Sequence, residues 1–382
     1  MAEPRTDEQN GDWSVPTIQL LTPEGVIEPS EHADRYLPLV EALDDEMLGR
    51  FYRDMAVARR IDRDASNLQR QGQLALWVPS HGQEGAQVGS AYAARPQDHI
   101  FPSYREHVVG MIRGLDLVRI LALLRGVTLG GWNPEENGNF HLYTLVLASQ
   151  TLHATGYAMG LQFDGATATG DPEKDAAVMV YYGDGSTSQG DASEALVFAS
   201  SYQTPEVFFI QNNQWAISVP VERQSRSPLS RRGGGFGMPG HRIDGNDVLA
   251  SYAVTREGLE NARAGGGPTL IEALTYRIGA HTTADDPTKY RTQDEVDYWI
   301  ARDPITRYRA YLESRGVSAE WFDGVDAEAA DISSDVRKRA LALEAPDRSV
   351  MFEHVYSEPH PLMTEQFAWL DNYENSFEDG VA

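Results

Sequence analysis

Apolar residues first fall into a regular pattern at Asp44. Beyond it Met47, Phe51, Met55 and Val57 recur at helical spacing, and Gln83 to Ala94 and Leu115 to Leu124 repeat the pattern, so the first half of the chain is predicted helix-rich. Val108 to Val127 reads as one amphipathic helix, interrupted by Arg113, Asp116, Arg119 and Arg125. The pattern then changes. Ala176 to Tyr182 and Val207 to Ile210 are short continuous apolar runs of the kind found in strands covered on both faces, and Ser193 to Tyr202 between them has helical spacing. A strand, a helix and a strand in so short a span make a βαβ unit, which requires a parallel sheet. A third strand is predicted at Thr269 to Ile278, after a helix near Ser251 to Ala264 and a Gly/Pro turn. Charged helices follow at Gln293 to Ser314 and Ala327 to Leu343, and RRGGGFGMPG, 231 to 240, reads as a flexible surface connection. The class is α/β. Three segments follow: an arm over 1–43, extended or partly disordered with docking at Ile18 to Leu21; an α/β domain over 44–345; and a tail over 346–382 whose aromatics predict docking.

Composition narrows the partners. With 32 basic and 57 acidic residues among 382 the formal charge is −25, which opposes phosphate neutralisation; neither nucleic acid nor an anionic membrane is an expected partner. The absence of cysteine excludes disulfides, thiolate metal sites and a cysteine nucleophile. The acidic N-terminus has no apolar core segment of a secretory signal, so a cytoplasmic location is expected.

The chemistry concentrates at two strand ends. Gly183-Asp184-Gly185-Ser186 closes the first strand and Asn212-Asn213 the second, which brings Asp184 and Asn213 together at the carboxyl edge of a parallel sheet, where ligands of open α/β folds bind. A carboxylate, an amide oxygen and a nearby backbone carbonyl suit Mg²⁺, which takes its remaining ligands from water and phosphate. Gly183 and Gly185 let a diphosphate approach the backbone, and the helix that follows offers free N–H groups. Alone, Gly-Asp-Gly is ordinary turn chemistry. No P-loop lysine, GxGxxG or serine-hydrolase elbow accompanies it.

The spacing of GDG and NN, with the 26 residues Ser186 to Gln211 between them, is the signature that marks thiamine diphosphate enzymes. The chain resembles one branch of that family, the alpha subunit of the decarboxylating first component of 2-oxo acid dehydrogenase complexes. The matching blocks are HGQEGAQVG (81 to 89), FPSYREH (101 to 107), YGDGSTSQGD (182 to 191), NNQWAIS (212 to 218), RIDGNDV (242 to 248) and EALTYRIGAHTTADDPTKYR (272 to 291). The resemblance implies a thiamine diphosphate-binding fold with a mainly parallel sheet between helices. It implies Mg²⁺ on Asp184, Asn213 and the Trp215 carbonyl, and cofactor contacts from Tyr104, Arg105, Gly183, Gly185, Ser186, Ala216 and His281, the last on a mobile loop. Arg105 has the shape to meet diphosphate charge that Mg²⁺ leaves over, and His281 could hold a phosphate oxygen or move a proton during acyl transfer.

In this family the glutamate that activates the cofactor's aminopyrimidine ring belongs to a beta chain, so an active site shared between subunits is implied, in a tetramer of two alpha and two beta chains serving a lipoyl-bearing acyltransferase core. HTTADDPTKYR and Val146-Leu147-Ala148-Ser149-Gln150 are more similar to branched-chain enzymes than to pyruvate enzymes; Leu147 is the candidate wedge that bends the cofactor, with plain core packing as its alternative. Leu76, Trp77 and Tyr104 are candidates for the acyl pocket. Ser149 and Gln150 match positions that hold a monovalent cation, K⁺, in animal relatives. Trp215 stands where Tyr is commoner, and Gln211 where some relatives carry Arg, which removes one charge partner. Pyruvate or acetoin is the alternative substrate, and a non-catalytic assembly subunit the alternative of another class.

Overall fold

The computed structural model of the chain describes residues 15–128 and 130–377. Asp44 caps the first long helix, α1 (Asp45–Arg70), by accepting the Met47 N–H at 2.7 Å; Leu48, Phe51, Met55 and Ile61 form its buried face. α2 (Glu84–Ala93) follows as predicted. The expected single helix over 108–127 is two: α3 (His107–Ile112) ends at Gly114, whose φ of +92° leaves the helical region, and Asp116 caps α4 (Leu117–Arg125).

Six parallel strands make the central sheet: β1 (Thr17–Ile18), β2 (His99–Phe101), β3 (Val178–Gly183), β4 (Glu206–Asn212), β5 (Gly240–Asp244) and β6 (Thr269–Leu274), in the order β1-β5-β6-β4-β3-β2. Alternate side chains of β3 and β4 enter two cores. Met179, Tyr181, Val207 and Phe209 meet α1, α2 and α7 (Val248–Arg263), and Val178, Val180, Phe208 and Ile210 meet α5 (Ser149–Phe163) and α6 (Gly190–Tyr202). Covering on both faces is why these strands read as unbroken apolar runs.

The arm docks where Ile18 to Leu21 predicted: β1 extends the sheet edge beside β5, and Leu20 and Leu21 are fully buried. Residues 1–14 of the arm lie outside the described residues. The connection over 231–240 lies mostly at the surface, as expected, but it holds a helical turn, Arg231–Phe236, leading into β5. Its glycines serve close approach, since a Cβ on Gly240 would stand 2.1 Å from the Ser230 carbonyl oxygen. β6 stops at Leu274, short of Ile278, which releases 275–291 toward the site. The charged region holds α8 (Gln293–Ile300) and α9 (Pro304–Ser314), divided where Asp303 caps the second, and α10 (Ala319–Leu341) starts ahead of the predicted 327 at the Ser318 cap. In the tail, α11 (Val350–Glu353) and α12 (Pro361–Glu374) contain no buried residue; Phe352 meets Phe367, and Trp369 stacks on Tyr373. No helix among the described residues is long and apolar enough to cross a membrane.

Candidate active site

The site begins where β3 and β4 run out together. Gly183 pairs with Gln211, so Asp184 and Asn213 leave adjacent strand ends. Asp184 is 1% exposed, and burial pushes its carboxyl up to about 6, opposed by a hydrogen bond from Gln224 Nε2 at 3.1 Å, the Asn213 N–H and the nearby Arg277 charge. Asn213 donates through Nδ2 to Gln83 Oε1 at 3.2 Å and accepts the Trp215 N–H on Oδ1 at 3.3 Å. The Trp215 carbonyl accepts from Arg277 Nη1 at 2.8 Å. Gly185 permits this closeness, because a Cβ there would stand 2.8 Å from Ala216 Cβ; one on Gly183 would meet no heavy atom within 4 Å, so space remains above the strand end. Between the glycines and the helix stands a 3₁₀ turn, Gly185–Ser188, in which Ser186 is buried, and α6 starts at Gly190, three residues ahead of the expected Ser193.

Facing this cradle, Tyr104 and Arg105 follow β2. Arg105 donates to the Pro79 carbonyl and, through Nη2, to the His281 carbonyl at 3.2 Å. Its backbone is fixed by Gln87, which donates to the Arg105 carbonyl at 3.2 Å and to Gln211 Oε1 at 2.9 Å, while Gln211 donates to the buried Glu106. Gln211 therefore joins the Gln87 amide and the Glu106 carboxyl in a buried hydrogen-bond network beneath Arg105. His281 Nδ1 lies 3.3 Å from Arg105 Nη2 and 3.2 Å from Arg277 Nη1. Guanidinium nitrogens only donate, so Nδ1 accepts and the proton sits on Nε2. Burial, then the two arginine charges, push the imidazole down to about 3.

The loop carrying His281 is cross-tied. Asp285 accepts the His281 N–H at 2.8 Å and the Tyr290 hydroxyl, Arg277 Nη2 donates to that hydroxyl at 3.0 Å, and Arg291 donates to the carbonyls of Arg277, Ile278 and Gly279. Trp77 is buried and stacked on His107 at 4.4 Å, and its backbone pairs with Thr283, N–H to Oγ1 and carbonyl to N–H, both at 3.1 Å. Leu76 is half-buried beside it.

Asp184, Gly185, Asn213, Trp215 and Ala216 are thus brought together, and Arg277 links them to Arg105 and His281. Leu147 sits 39% exposed on the turn into α5, where Ala148 takes a φ of +69°. Beside it Ser149 Oγ donates to the Val146 carbonyl at 2.9 Å, and Gln150 donates to the Tyr181 carbonyl at 2.9 Å while its buried Oε1 has no donor. Sequence reasoning missed Arg277, Gln83 and Gln224. The first two lie in the matching blocks, Arg277 one helical turn's spacing before His281; Gln224 carries no motif. The residues fit an anionic, metal-bound group: Gln83 Nε2 and Arg277 Nε are buried donors with no acceptor, beside a carboxylate that burial disfavours as an isolated charge.

Residues 52–345 match the family described as Dehydrogenase E1 component. The chain is 44% identical over 353 residues, 91% of its length and 92% of the relative's, to 3-methyl-2-oxobutanoate dehydrogenase subunit alpha of Mycobacterium tuberculosis. It is 39% identical over 334 residues to pyruvate dehydrogenase E1 component subunit alpha of Acholeplasma laidlawii, covering 85% of this chain and 93% of that one. The subunit of the same description from Bacillus cereus is 35% identical over 357 residues, 92% and 91% of the two chains. With a parallel sheet whose strand ends carry GDG and NN, and similarity along most of its length, the chain belongs to the dehydrogenase E1 component family.

Proposed function

We propose that this chain is the alpha subunit of a cytoplasmic 2-oxo acid dehydrogenase that uses thiamine diphosphate and Mg²⁺ to decarboxylate a branched-chain 2-oxo acid and to pass the acyl group to a lipoyl arm. The observation that carries the proposal is the convergence of Asp184, Asn213 and the Trp215 carbonyl opposite the Arg105–His281 pair. Among the described residues no three acidic or histidine side chains form a metal cluster. One carboxylate with two neutral oxygens is a donor set for Mg²⁺ that shares its ligands with phosphate. Arg105, Arg277 and Gln83 would meet the diphosphate oxygens. The bound cofactor supplies the nucleophilic carbon and the electron sink, and the protein supplies orientation and electrostatics. His281 holds a proton at Nε2, where it would serve as a hydrogen-bond donor to a phosphate or substrate oxygen. Gln150 Oε1 and Ser149 offer oxygen donors for a K⁺ ion that would stiffen the turn carrying Leu147.

A beta chain is required in this reading for the acid on the aminopyrimidine ring. Exposed Tyr157, Phe163, Val197, Phe198 and Tyr202 on α5 and α6 form an apolar surface suited to subunit association, in a tetramer of two alpha and two beta chains that feeds an acyltransferase core. The branched substrate rests on the Asp285-Asp286 loop, the half-buried Leu76 backed by the buried Trp77, and the greater identity to the 3-methyl-2-oxobutanoate enzyme. Pyruvate is the second reading, supported by relatives at 39% and 35% identity. The test is oxo-acid-dependent reduction of an artificial electron acceptor by the complex with its beta chain. A preference for 3-methyl-2-oxobutanoate is expected, of about tenfold or more for the two additional methyls. A preference for pyruvate would keep the site and overturn the substrate.

A further inference from the structure

Asp62, in the middle of α1, is 4% exposed and makes no ion pair among the described residues. Its carboxylate is satisfied by three N–H donors of one loop: Oδ1 accepts from Trp77 Nε1 at 2.8 Å and from the Ser80 N–H at 3.0 Å, and Oδ2 accepts the His81 N–H at 3.1 Å. A buried carboxylate without a cation is costly, and an apolar residue in its place would leave three donors unpaired. Behind the loop lies a cavity of about 800 Å³, lined by Asp62, Pro79 and His81 and, across it, by Gly279, Ala280 and Thr283 of the His281 loop. Close packing therefore does not fix either loop from that side. Hydrogen bonds hold them instead: the Asp62 carboxylate on one loop, Asp285 and Arg291 within the other, and between the two the pairing of Trp77 with Thr283, of His81 with Ile278 and of Arg105 with Pro79 and His281.

We infer that Asp62 is a positioning and specificity-determining residue, which from a rigid helix holds the buried Trp77, and through it the half-buried Leu76 of the acyl pocket, in register with the His281 loop. The inference rests on the reading of Leu76 as substrate wall with Trp77 as its backing. Asp62 touches neither cofactor nor substrate; it acts through the indole and through the two backbone donors.

The test is Asp62→Asn in the alpha chain assembled with its beta partner. The amide keeps an acceptor for Trp77 and Ser80 but sets a donor against the His81 N–H. Amide hydrogen exchange should rise together in 76–81 and in 279–285, by about tenfold for one lost charge-assisted hydrogen bond. The ratio of kcat/KM for 3-methyl-2-oxobutanoate over pyruvate should fall by about tenfold through KM, with kcat and thiamine diphosphate affinity within about twofold. A role confined to folding would lower both turnovers alike and leave the ratio unchanged. Thr283→Val, which removes the hydroxyl that accepts the Trp77 N–H and reaches the Trp77 carbonyl at 3.5 Å, should move the ratio in the same direction and carries the test if Asp62→Asn fails to assemble. Unchanged exchange in 279–285, or an unchanged ratio, overturns the inference. A wild-type complex that turns over neither acid while both loops still loosen together overturns the functional reading and upholds the tether.

Discussion

Two guanidinium groups meet one nitrogen of His281, and that contact decides what the imidazole can do. Arg105 and Arg277 both lie within hydrogen-bond distance of Nδ1, and with burial they hold the ring neutral down to about 3. The sign is opposite to that of a histidine paired with an acid: the folded chain refuses a proton that the unfolded chain accepts near 6.5, so this site costs stability as pH falls below that value. Carbethoxylation of His281, followed by mass spectrometry of its peptide, should proceed at a rate independent of pH between 5 and 7.5. A rate that falls with a midpoint near 6.5 would contradict the neutral assignment. At this scale Asp184 and Asn213 were legible because strand-end spacing alone puts them side by side. Arg277 and Asp62 were not, because the carbonyls and N–H groups they serve come from segments brought near only by folding: Arg277 reaches Trp215 and Ile217, and Asp62 reaches Trp77 and Ser80.

Among the elements, β4 carries an unused acid at its start. Glu206 is fully buried, takes hydrogen bonds from Thr155 and Thr204 at 3.2 Å, and is pushed by burial up to about 8. Between its ordinary value and 8 the folded state keeps a proton that the unfolded state has lost, so stability declines as pH rises through that window. Glu206→Gln removes the titration, and its amide can accept from one threonine hydroxyl and donate to the other. It should raise the thermal midpoint more at pH 8 than at pH 6, by about 1–3 kcal/mol of stability at the higher pH; an equal gain at both would contradict the assignment. The βαβ unit over 178–212 was legible because its strands are apolar on both faces. β1 and β2, of two and three residues, are too short to show a period, and the glycines of 231–240 look like flexibility until the Ser230 carbonyl is found against Gly240. The break at Gly114 was hidden by apolar residues that continue on either side of it.

For the whole molecule, the contrast is one of charge. A chain of formal charge −25 gathers Arg105, Arg277 and Arg291 around a single loop at the carboxyl edge of its sheet, a local field that favours anionic ligands against the global one. Family membership extends over 52–345 and so includes every residue of the cradle and of the loop. In the proposed function this edge binds thiamine diphosphate through a metal held by Asp184. Calorimetric titration of the alpha–beta complex with thiamine diphosphate, with and without Mg²⁺, should give Mg²⁺-dependent binding in the wild type and a loss of about a hundredfold or more in Asp184→Ala. The fold should survive the substitution, since burial already disfavours that carboxylate. Undiminished Mg²⁺-dependent affinity in the variant would contradict the assignment of the site.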